Sequence, residues 1–532
     1  MDQYLNRRTF CIVSHPDAGK TTLTEKLLLY GGAIHEAGTV KARKAARYAT
    51  SDWMEIEKQR GISVTSSVLQ FDYQNCRINL LDTPGHHDFS EDTYRVLTAV
   101  DSALMVVDGA KGVEAQTKKL MRICSERKIP VISFVNKLDR ECRNPIELLD
   151  EIESVLHIKA CPLTWPIGSG RSFQGIYHLP SKAFARFQPD TEKIEWVQTQ
   201  GIDDPVWESL IPADQREEFC EQLELIEGIY DPYTAEAYLG GNQTPVFFGS
   251  ALKDFGVESL LKEFCQIAPP PLPRLAMERI VEPGEKNFSG FIFKIQANMD
   301  LRHRDRISFL RICSGKFKKG MSVFHMRLER NMRVNNTFQF LASKREQVEE
   351  AFAGDIIGLY DTGDFKIGDT LTEKEKLSFL GIPNFAPEMF KKVVLKTPLK
   401  SKQLKTGLQQ LCEEGASQVF YPQNSNDIVI GVVGQLQFEV ISHRLQNEYS
   451  VEAKFENCPY RLARWVLPKD SNSKKFEDSL RDLSKSYNTV LSKDAEERDA
   501  ILVSSEYALN KAMERYPDLR FSDTSEIVSR SD

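Results

Sequence analysis

The amino-acid sequence predicts a multidomain fold: a doubly wound, mostly parallel α/β domain first, a β-barrel domain second and another α/β domain last. Three observations predict it. An apolar run at residues 9–13 precedes a glycine-containing loop and a helical pattern, which is the strand–loop–helix order of an α/β unit. Short strand patterns separated by glycine turns fill residues 290–371. Strand and helix patterns then alternate from residue 393 to residue 455.

The first loop, SHPDAGKTT, has the features of a phosphate-binding loop. Its backbone N–H groups and the following helix N-terminus would face a polyphosphate. Lys20 would reach the β and γ phosphates, the Thr21 hydroxyl would ligate Mg²⁺, and Gly19 would let the backbone come close. The usual pattern opens with Gly, whereas this loop opens with Ser14, and we interpret it as a variant; the alternative is an ordinary turn before a core helix. The candidate nucleotide-binding residues here are Ser14, His15, Pro16, Asp17, Ala18, Gly19, Lys20, Thr21 and Thr22.

The run DTPGH follows a strand pattern at residues 77–81. An acid at the carboxyl end of such a strand usually holds Mg²⁺, here Asp82 through water. The Gly85 amide would bond the γ phosphate, so that GTP holds this loop in place and hydrolysis releases it, as in order–disorder switches. His86 would be the catalytic residue that orients the attacking water, against the alternative of an ordinary structural histidine. The second group of candidate residues is Asp82, Thr83, Pro84, Gly85 and His86.

The run RGIS at residues 60–63 lies in a polar stretch that begins near residue 33. We interpret it as a first switch segment, in which the Ser63 hydroxyl completes Mg²⁺ coordination when a γ phosphate is present. The alternative is that residues 62–71 form a strand with a polar start. The predicted metal ligands are therefore Thr21, Ser63 and, through water, Asp82.

Base selection is predicted from the NKLD run at residues 136–139 and the SAL run at residues 250–252. The Asp139 carboxylate can accept hydrogen bonds from both guanine N1–H and the exocyclic amine, which adenine cannot match. Leaving such a buried acceptor unpaired penalises the wrong base by about 10⁴ to 10⁵. Lys137 would cover the base, Asn136 would tie the two loops together, and the Ala251 N–H would meet the guanine oxygen. The candidates are Asn136, Lys137, Leu138, Asp139, Ser250, Ala251 and Leu252, and the predicted ligands are GTP or GDP with Mg²⁺.

Length and composition agree with a large cytoplasmic protein. A chain of 532 residues should contain about three or four domains. Its 10 cysteines form no CxxC pair, so neither a zinc site nor a disulfide framework is indicated. No apolar run approaches the roughly 20 residues that span a bilayer, and we expect no membrane segment.

The net charge of −7 argues against a chain that coats nucleic acid over its whole surface. Basic residues nevertheless gather in the second region, where they would contact RNA phosphates or, alternatively, lie on solvated strand faces. They are Arg302, Arg304, Arg306, Arg311, Lys316, Lys318, Lys319, Arg327, Arg330 and Arg333.

The proline-dense run APPPLPR at residues 268–274 predicts a semi-rigid connector. It would end a nucleotide-binding domain at residues 1–273, with an insertion at about 143–243 whose role the sequence does not reveal. A second connector near residues 381–387 would separate a β-barrel domain at 274–387 from an α/β domain at 388–532. Within that last domain Phe438, Ile441 and Leu445 have the spacing of a core-facing stripe, and the polar tail beyond residue 521 is expected to fray.

With these motifs in place, the sequence resembles the translational GTPases and, within that family, the bacterial release factor 3 group. DTPGH, and RGI followed by a hydroxyl residue, are typical of the family. The runs GFIFKIQANMD from residue 290 and GVVGQLQFEVISHRL from residue 431 carry the closer resemblance, which covers nearly the whole chain.

The resemblance implies a P-loop GTPase domain and a last domain similar to domain III of elongation factor G. It also implies a monomeric protein that binds the ribosome, both its RNA and its proteins, at translation termination. There the protein would promote dissociation of the class-1, stop-codon-reading release factor after peptide release, by a contact that can be indirect. We identify no built-in arginine finger in the sequence, so we expect slow GTP hydrolysis that ribosomes accelerate.

Other functions are compatible with parts of the sequence. Another translational GTPase similar to elongation factor G would need extra translocation domains, for which this chain has no room. The GTPase subunit of a sulfate-activating enzyme would carry a second barrel where this chain has an α/β pattern. A module that binds GTP without hydrolysing it would not need His86 and the complete switch motifs.

Overall fold

The computed structural model describes residues 3–34, 57, 63–188, 193–297, 306–341, 344–380, 382, 384–469, 473–486 and 489–525. The predicted fold class is confirmed: a mostly parallel α/β layer comes first, antiparallel strands follow, and a helix-covered sheet comes last. In the described part of the chain, no helix is both long and apolar enough to cross a membrane.

The first layer is built on a central sheet with the strand order β2-β3-β1-β4-β5-β11-β6. All neighbours in it run parallel except β2 and β3, which form an antiparallel hairpin. Residues 9–14 of β1 and all of β4 are buried, as expected of strands covered on both faces by helices. The strands are β1 Arg7–Ser14, β2 Ser67–Tyr73, β3 Cys76–Asp82, β4 Ser102–Asp108, β5 Val131–Asn136, β6 Lys159–Pro162, β7 Thr164–Ile167, β8 Gly175–His178, β9 Ala183–Gln188, β10 Lys193–Gln198 and β11 Gln243–Phe248.

Helices connect these strands and close the core. The helix α8, for example, buries the apolar residues Val257, Leu260, Leu261 and Phe264. The strands β7 to β10 form a separate antiparallel sheet that lies between β6 and β11 in the sequence, inside the expected insertion. The helices are α1 Lys20–Tyr30, α2 Ser90–Ala99, α3 Ala115–Glu126, α4 Pro145–Leu156, α5 Trp207–Leu210, α6 Ala213–Ile229, α7 Ala235–Leu239 and α8 Val257–Ile267.

The middle of the chain contains only strands among its described residues. The longest pair, β14 and β15, is antiparallel and buried along its whole length. A single bridge between Leu341 and Gln70 joins β19 to β2, so these strands continue the first sheet. The strands are β12 Arg274–Leu275, β13 Ile280–Val281, β14 Ser289–Ala297, β15 Arg306–Ser314, β16 Lys316–Lys318, β17 Ser322–His325, β18 Arg330–Arg333, β19 Thr337–Leu341, β20 Lys344–Gln347, β21 Glu350–Phe352, β22 Ile356–Tyr360 and β23 Thr370–Thr372.

The last part is one sheet with the order β27-β24-β26-β25-β29-β30-β28-β31. Its chain order, βαββαβ followed by βαββαβ, is that of two split-βαβ units placed side by side and joined by the pair β25–β29. Its elements are β24 Met389–Leu395, α9 Ser401–Glu413, β25 Gln418–Pro422, β26 Ile428–Val432, α10 Gln435–Tyr449, β27 Ala453–Asn457, β28 Leu462–Pro468, α11 Ser473–Leu483, β29 Thr489–Asp494, β30 Asp499–Val503, α12 Glu506–Arg515 and β31 Leu519–Ser522.

The predicted stripe on α10 is confirmed, because Phe438, Ile441 and Leu445 are buried in one core cluster. The expectation of a frayed tail is wrong for residues 522–525. The Ser525 N–H donates to the Asn384 carbonyl at 3.1 Å, and the Ala386 N–H donates to the Asp523 carbonyl at 2.7 Å. These backbone hydrogen bonds hold the end of β31 against the segment that leads into β24. Residues 526–532 lie outside the described residues.

Of the basic residues that could contact RNA, Arg306 and Arg311 are excluded because they are buried, and RNA contact stays a prediction for the others. Arg311 is buried against Asp101, and Arg306 pairs with Asp361 and Glu413. Both therefore belong to the interior, since a buried guanidinium needs a paired carboxylate. Lys316, Lys319 and Arg330 pair at the surface with Glu350, Glu349 and Asp364. Arg327 pairs with the buried Asp369. Arg302 and Arg304 lie outside the described residues.

Candidate functional site

The four predicted motifs lie at one edge of the parallel sheet. Ser14 is the last residue of β1, Asp82 of β3 and Asn136 of β5, and Ser250 follows β11 by two positions. The carboxyl ends of parallel strands meet at the same edge, which is where open α/β sheets bind their ligands. The parallel arrangement therefore brings residues from distant parts of the sequence to one place.

The phosphate loop has a left-handed backbone at two positions, Asp17 with φ 65° and Gly19 with φ 98°. Ser14 is not one of them: it continues β1 and pairs with Val106, and its hydroxyl donates to the His15 carbonyl at 2.9 Å. The departure from the usual glycine is thus compatible with the loop, because the backbone at residue 14 is ordinary strand. The sequence placed the start of the loop one residue too early.

Gly19 is required by its contact with Asn136 as well as by its backbone. A Cβ atom at residue 19 would lie 2.3 Å from Asn136 Nδ2. That amide nitrogen donates to the Ala18 carbonyl at 2.8 Å, and Asn136 Oδ1 accepts the Ala251 N–H at 2.9 Å. Asn136 therefore links the phosphate loop to the loop after β11. The sequence predicted the contact of Asn136 with the phosphate loop, and the hydrogen bond from Ala251 is an additional one.

Lys20 and Asp82 form the charged centre of the phosphate side. Lys20 Nζ lies 2.5 Å from Asp82 Oδ1, and the Thr24 hydroxyl donates to the same oxygen at 3.2 Å. Both members of the ion pair are buried, so each charge depends on the other. The Thr83 hydroxyl donates to the Ile12 carbonyl at 2.6 Å and fixes the following turn to β1.

The donor groups present fit a magnesium ion. The residues predicted to hold it, Thr21, Ser63 and Asp82, offer only hydroxyl and carboxylate oxygens, which are the ligands that Mg²⁺ prefers. The Asp82 carboxylate already contacts one cationic group, the Lys20 ammonium. The predicted ligand Ser63 lies just before a short anchored segment: Glu57 accepts the N–H groups of Val64 and Thr65 at 2.9 and 3.1 Å.

The segment predicted to be the first switch lies only partly within the described residues. Residues 60–62 of the RGIS run lie outside the described residues. The Ser66 N–H donates to Asp92 Oδ2 at 2.6 Å, and the Lys294 ammonium donates to the Ser66 hydroxyl at 2.7 Å. A regular strand begins only at Ser67, so residues 63–66 do not form the polar start of a strand.

Gly85 and His86 continue from Asp82 toward the helix α2. A Cβ atom at Gly85 would stand 3.5 Å from the Pro16 Cα atom, so this turn lies directly against the phosphate loop. His86 is one-third exposed, and its Nδ1 atom is 3.3 Å from both the Asp88 N–H and Asp88 Oδ1. His87, which the sequence left without a role, is more exposed and lies 3.0 Å from the same carboxylate oxygen.

On the base side, Asp139 is held by the loop after β11. The Ser250 hydroxyl donates to Asp139 Oδ1 at 2.6 Å, and the Ser250 N–H and carbonyl both pair with Phe255. Leu138 is buried and its N–H donates to the Gly249 carbonyl at 3.2 Å, whereas Leu252 is exposed. These contacts bring the NKLD and SAL runs together.

Asp108 is a site residue that was not predicted from the sequence. It ends β4 and accepts the Lys137 ammonium at 2.6 Å, while Lys137 itself has a left-handed φ of 75°. Burial alone would raise the pKa of Asp108, but hydrogen bonds from Lys137 and from the Ala110 and Lys111 amides outweigh it and hold the pKa below its usual value. An acid at the end of β4, aligned with Asn136 of β5, was the available signal.

Comparisons with known proteins agree with this geometry. Residues 5–270 match the Elongation factor Tu GTP binding domain, residues 287–374 match Elongation factor G domain 2, and residues 379–513 match the C-terminal domain of Class II release factor RF3. Among solved structures, the crystal structure of ttk003000868 from Thermus thermophilus is similar with a TM-score of 0.69. The two sequences are 23% identical, and the match covers 88% of this chain and 71% of that chain, a likeness that shows the fold. The chain belongs to the translational GTPases and carries the C-terminal domain of the class II release factors.

Proposed function

We propose that this chain is a ribosome-dependent GTPase of translation termination, which promotes dissociation of the class-1 release factor after peptide release. The observation that carries the GTPase assignment is the pair of hydrogen bonds in which Asn136 donates to the Ala18 carbonyl and accepts from the Ala251 N–H, which brings three motifs together at one site. The match to a release factor C-terminal domain supports the termination role. The domains proposed from the sequence, 1–273, 274–387 and 388–532, and a monomer in the cytoplasm, belong to this proposal.

Guanine recognition is assigned to Asp139. Its carboxylate would accept from guanine N1–H and the exocyclic amine, and the Ser250 hydroxyl 2.6 Å away fixes the direction of that carboxylate. The Lys137 stem would cover the base, with its ammonium anchored on Asp108. The Ala251 N–H would share its hydrogen bond between the guanine oxygen and Asn136 Oδ1.

The phosphates would be bound by the loop of residues 14–22. When GTP enters, Lys20 would exchange its contact with Asp82 for the β and γ phosphates, because both partners are anions and the phosphates carry more charge. The Gly85 amide, next to Pro16, would bond the γ phosphate. Mg²⁺ held by Thr21, Ser63 and, through water, Asp82 would supply further neutralisation of the phosphate charge.

Hydrolysis needs a positioned water more than covalent chemistry. His86 Nδ1 makes both contacts with Asp88, so we assign Nε2 to the water. The position of the imidazole then depends on Asp88, whose other carboxylate oxygen is bound by the helix α10. Ribosome binding would complete this arrangement and so accelerate hydrolysis.

The test measures GTP hydrolysis with and without ribosomes. We expect slow hydrolysis by the chain alone and strong stimulation by ribosomes. His86→Ala should lower the stimulated rate by about 10² or more while the Kd for GTP changes less than about twofold, since positioned proton-transfer groups contribute about 10²–10⁴. His87→Ala is the matched control and should keep the stimulated rate. Rapid hydrolysis without ribosomes, or equal losses of rate and affinity in H86A, would refute the assignment.

The alternatives are separated by a binding experiment. The sheet of two split-βαβ units stands where a sulfate-activating GTPase subunit would need a second barrel, which favours the ribosomal function. Cosedimentation with ribosomes should be stronger in a non-hydrolysable GTP analogue than in GDP. Ribosomes programmed with a stop codon and a bound class-1 release factor should then lose that factor when this chain and GTP are added; retention would contradict the termination role.

A further inference from the structure

Two cysteines meet at the amino end of β3, away from the nucleotide site. Cys76 is the first residue of β3, and Cys265 lies near the end of α8. The Cys76 thiol donates to the Cys265 carbonyl with an Sγ–O distance of 3.7 Å, which places the two cysteines side by side. Cys265 is buried, whereas Cys76 is half-buried, so solvent reaches only one member directly.

The surroundings favour the thiolate of Cys76. The hydrogen bond from the Cys265 thiol, and secondarily the charge of Arg8, outweigh partial burial and lower the pKa of Cys76 to about 6. Arg8 is held beside the pair because its Nε donates to the Cys265 carbonyl at 3.2 Å. Cys265 shows the opposite effect, since its pKa is raised by the hydrogen bond to Cys76 and by burial.

An oxidant can reach Cys76 from outside. The residue lines an open surface cavity of about 380 Å³ next to the β2–β3 turn. The carboxylates on that cavity wall are each paired with a cation, Asp72 with Arg77, Asp355 with Arg7 and Glu350 with Lys316. They therefore do not oppose formation of a thiolate as free carboxylates would.

We propose that Cys76 and Cys265 form a peroxide-sensitive thiol pair, in which Cys76 is the reacting thiol and Cys265 the resolving one. In the first step the Cys76 thiolate attacks one oxygen of hydrogen peroxide; an S–O bond forms, the O–O bond breaks, and the hydroxide that leaves takes a proton to become water. In the second step Cys265 attacks the sulfenic sulfur; the S–S bond forms, the S–O bond breaks, and the leaving hydroxide takes the Cys265 proton. Two thiols and one peroxide thus give one disulfide and two waters.

Other cysteines provide internal comparisons. Cys11 and Cys124 also interact, but both are fully buried and burial raises the pKa of Cys124 to about 12, so this pair should stay reduced. Cys220 on α6 is half-buried like Cys76, but its pKa is raised, mainly by burial. Cys220 is therefore the matched control, a thiol with similar exposure whose pKa is not lowered.

The experiment treats the full chain with limiting hydrogen peroxide, blocks free thiols, and maps tryptic peptides by mass spectrometry without reduction. Each member of the pair lies alone in its tryptic peptide, residues 61–77 and 263–274. We expect these peptides linked by a disulfide, with Cys76 consumed about 10-fold or more faster than Cys220, because thiolate is the reactive form. GDP binding should be retained: β3 has seven residues, which places Asp82 roughly 20 Å from Cys76.

Two variants test the assigned roles. Cys265→Ser should abolish the disulfide, leave a sulfenic acid at Cys76 and move the midpoint of its alkylation rate to higher pH. Cys76→Ser should leave Cys265 unoxidised. Oxidation of Cys76 no faster than that of Cys220, a disulfide to any other cysteine, or an unchanged alkylation midpoint in C265S would overturn the proposal.

Discussion

Asp139 is oriented by its neighbours before any base is considered. The Ser250 hydroxyl donates to one carboxylate oxygen at 2.6 Å, and the Arg140 guanidinium lies 3.9 Å from the other. The Ser250 backbone is itself fixed by its paired hydrogen bonds with Phe255. A carboxylate that is already held in place loses little conformational entropy when it accepts two hydrogen bonds from a base.

Ser250→Ala should therefore weaken guanine-nucleotide binding without unfolding the protein. A hydrogen bond to a charged group contributes about 1.5–3 kcal/mol, so we expect the Kd for GDP to rise by roughly 10-fold or more. Titration with a fluorescent GDP analogue measures the effect, and Ser209→Ala, at an exposed serine, is the control. An unchanged Kd for GDP in S250A would show that Asp139 needs no such support.

The residue types of the site could be predicted because each supplies distinct chemistry to a nucleotide. Asp108 could not, since its role depends on Lys137, which it meets only through the alignment of β4 with β5. Arg306 and Arg311 show the same limit of prediction from the sequence. Their positive charge was visible in the sequence, but the buried carboxylates that neutralise it come from residues far away in the chain.

At the scale of elements, the turn after Gly85 docks on the amino end of α10. Asp88 Oδ2 accepts the Leu436 N–H at 2.7 Å, an arrangement in which a carboxylate also interacts favourably with the helix dipole. The approach is close: a Cβ atom at Gly434 would lie 2.0 Å from Asp88 Cγ. Gly434 has an extended backbone, so only this contact, and not its φ angle, requires glycine.

Gly434→Ala should therefore break the docking of this turn specifically. We expect G434A and Asp88→Ala each to lower ribosome-stimulated GTP hydrolysis, because His86 takes its position from Asp88. The double variant should be no worse than D88A alone, since the clash disappears with the carboxylate. A double-mutant cycle of stimulated rates measures the coupling. Additive losses would mean that the two residues act independently.

The sequence predicted the first βαββαβ unit of the last sheet but left the second unassigned. The reason lies in its pattern: Leu483 is the one buried side chain among the described residues of α11, and β29 has only two apolar residues, Val490 and Leu491, in six positions. The core of this unit is assembled from short pieces, among them Val466, Leu491 and Ile501. Such runs are too weak to identify one by one, and only pairing with β25 fixes their place.

At the scale of the whole molecule, Asp101 joins three parts of the chain. It stands between α2 and β4 and is almost completely buried. One carboxylate oxygen accepts the Leu272 N–H at 3.1 Å and lies 2.9 Å from the Arg274 guanidinium, both in the proline-rich connector. The other oxygen pairs with Arg311 of β15 at 2.5 Å. Asp101 thus holds the connector against the α/β layer and, through Arg311, links it to β15. These contacts restrain the connector more than its prolines alone would.

Asp101→Asn should uncouple these parts. The amide keeps the shape of the side chain but leaves Arg311 buried without a counter-charge, and breaking a buried pair in this way costs about 3–5 kcal/mol. We expect the first thermal transition in calorimetry to move down and separate from the rest, and trypsin to cut after Arg274, where the native ion pair protects the chain. Asp72→Asn is the control, because Asp72 pairs with Arg77 at the surface, where an ion pair contributes only about 0–1 kcal/mol. If D101N keeps the native melting profile and resists trypsin as the wild type does, the docking of the connector does not depend on this carboxylate.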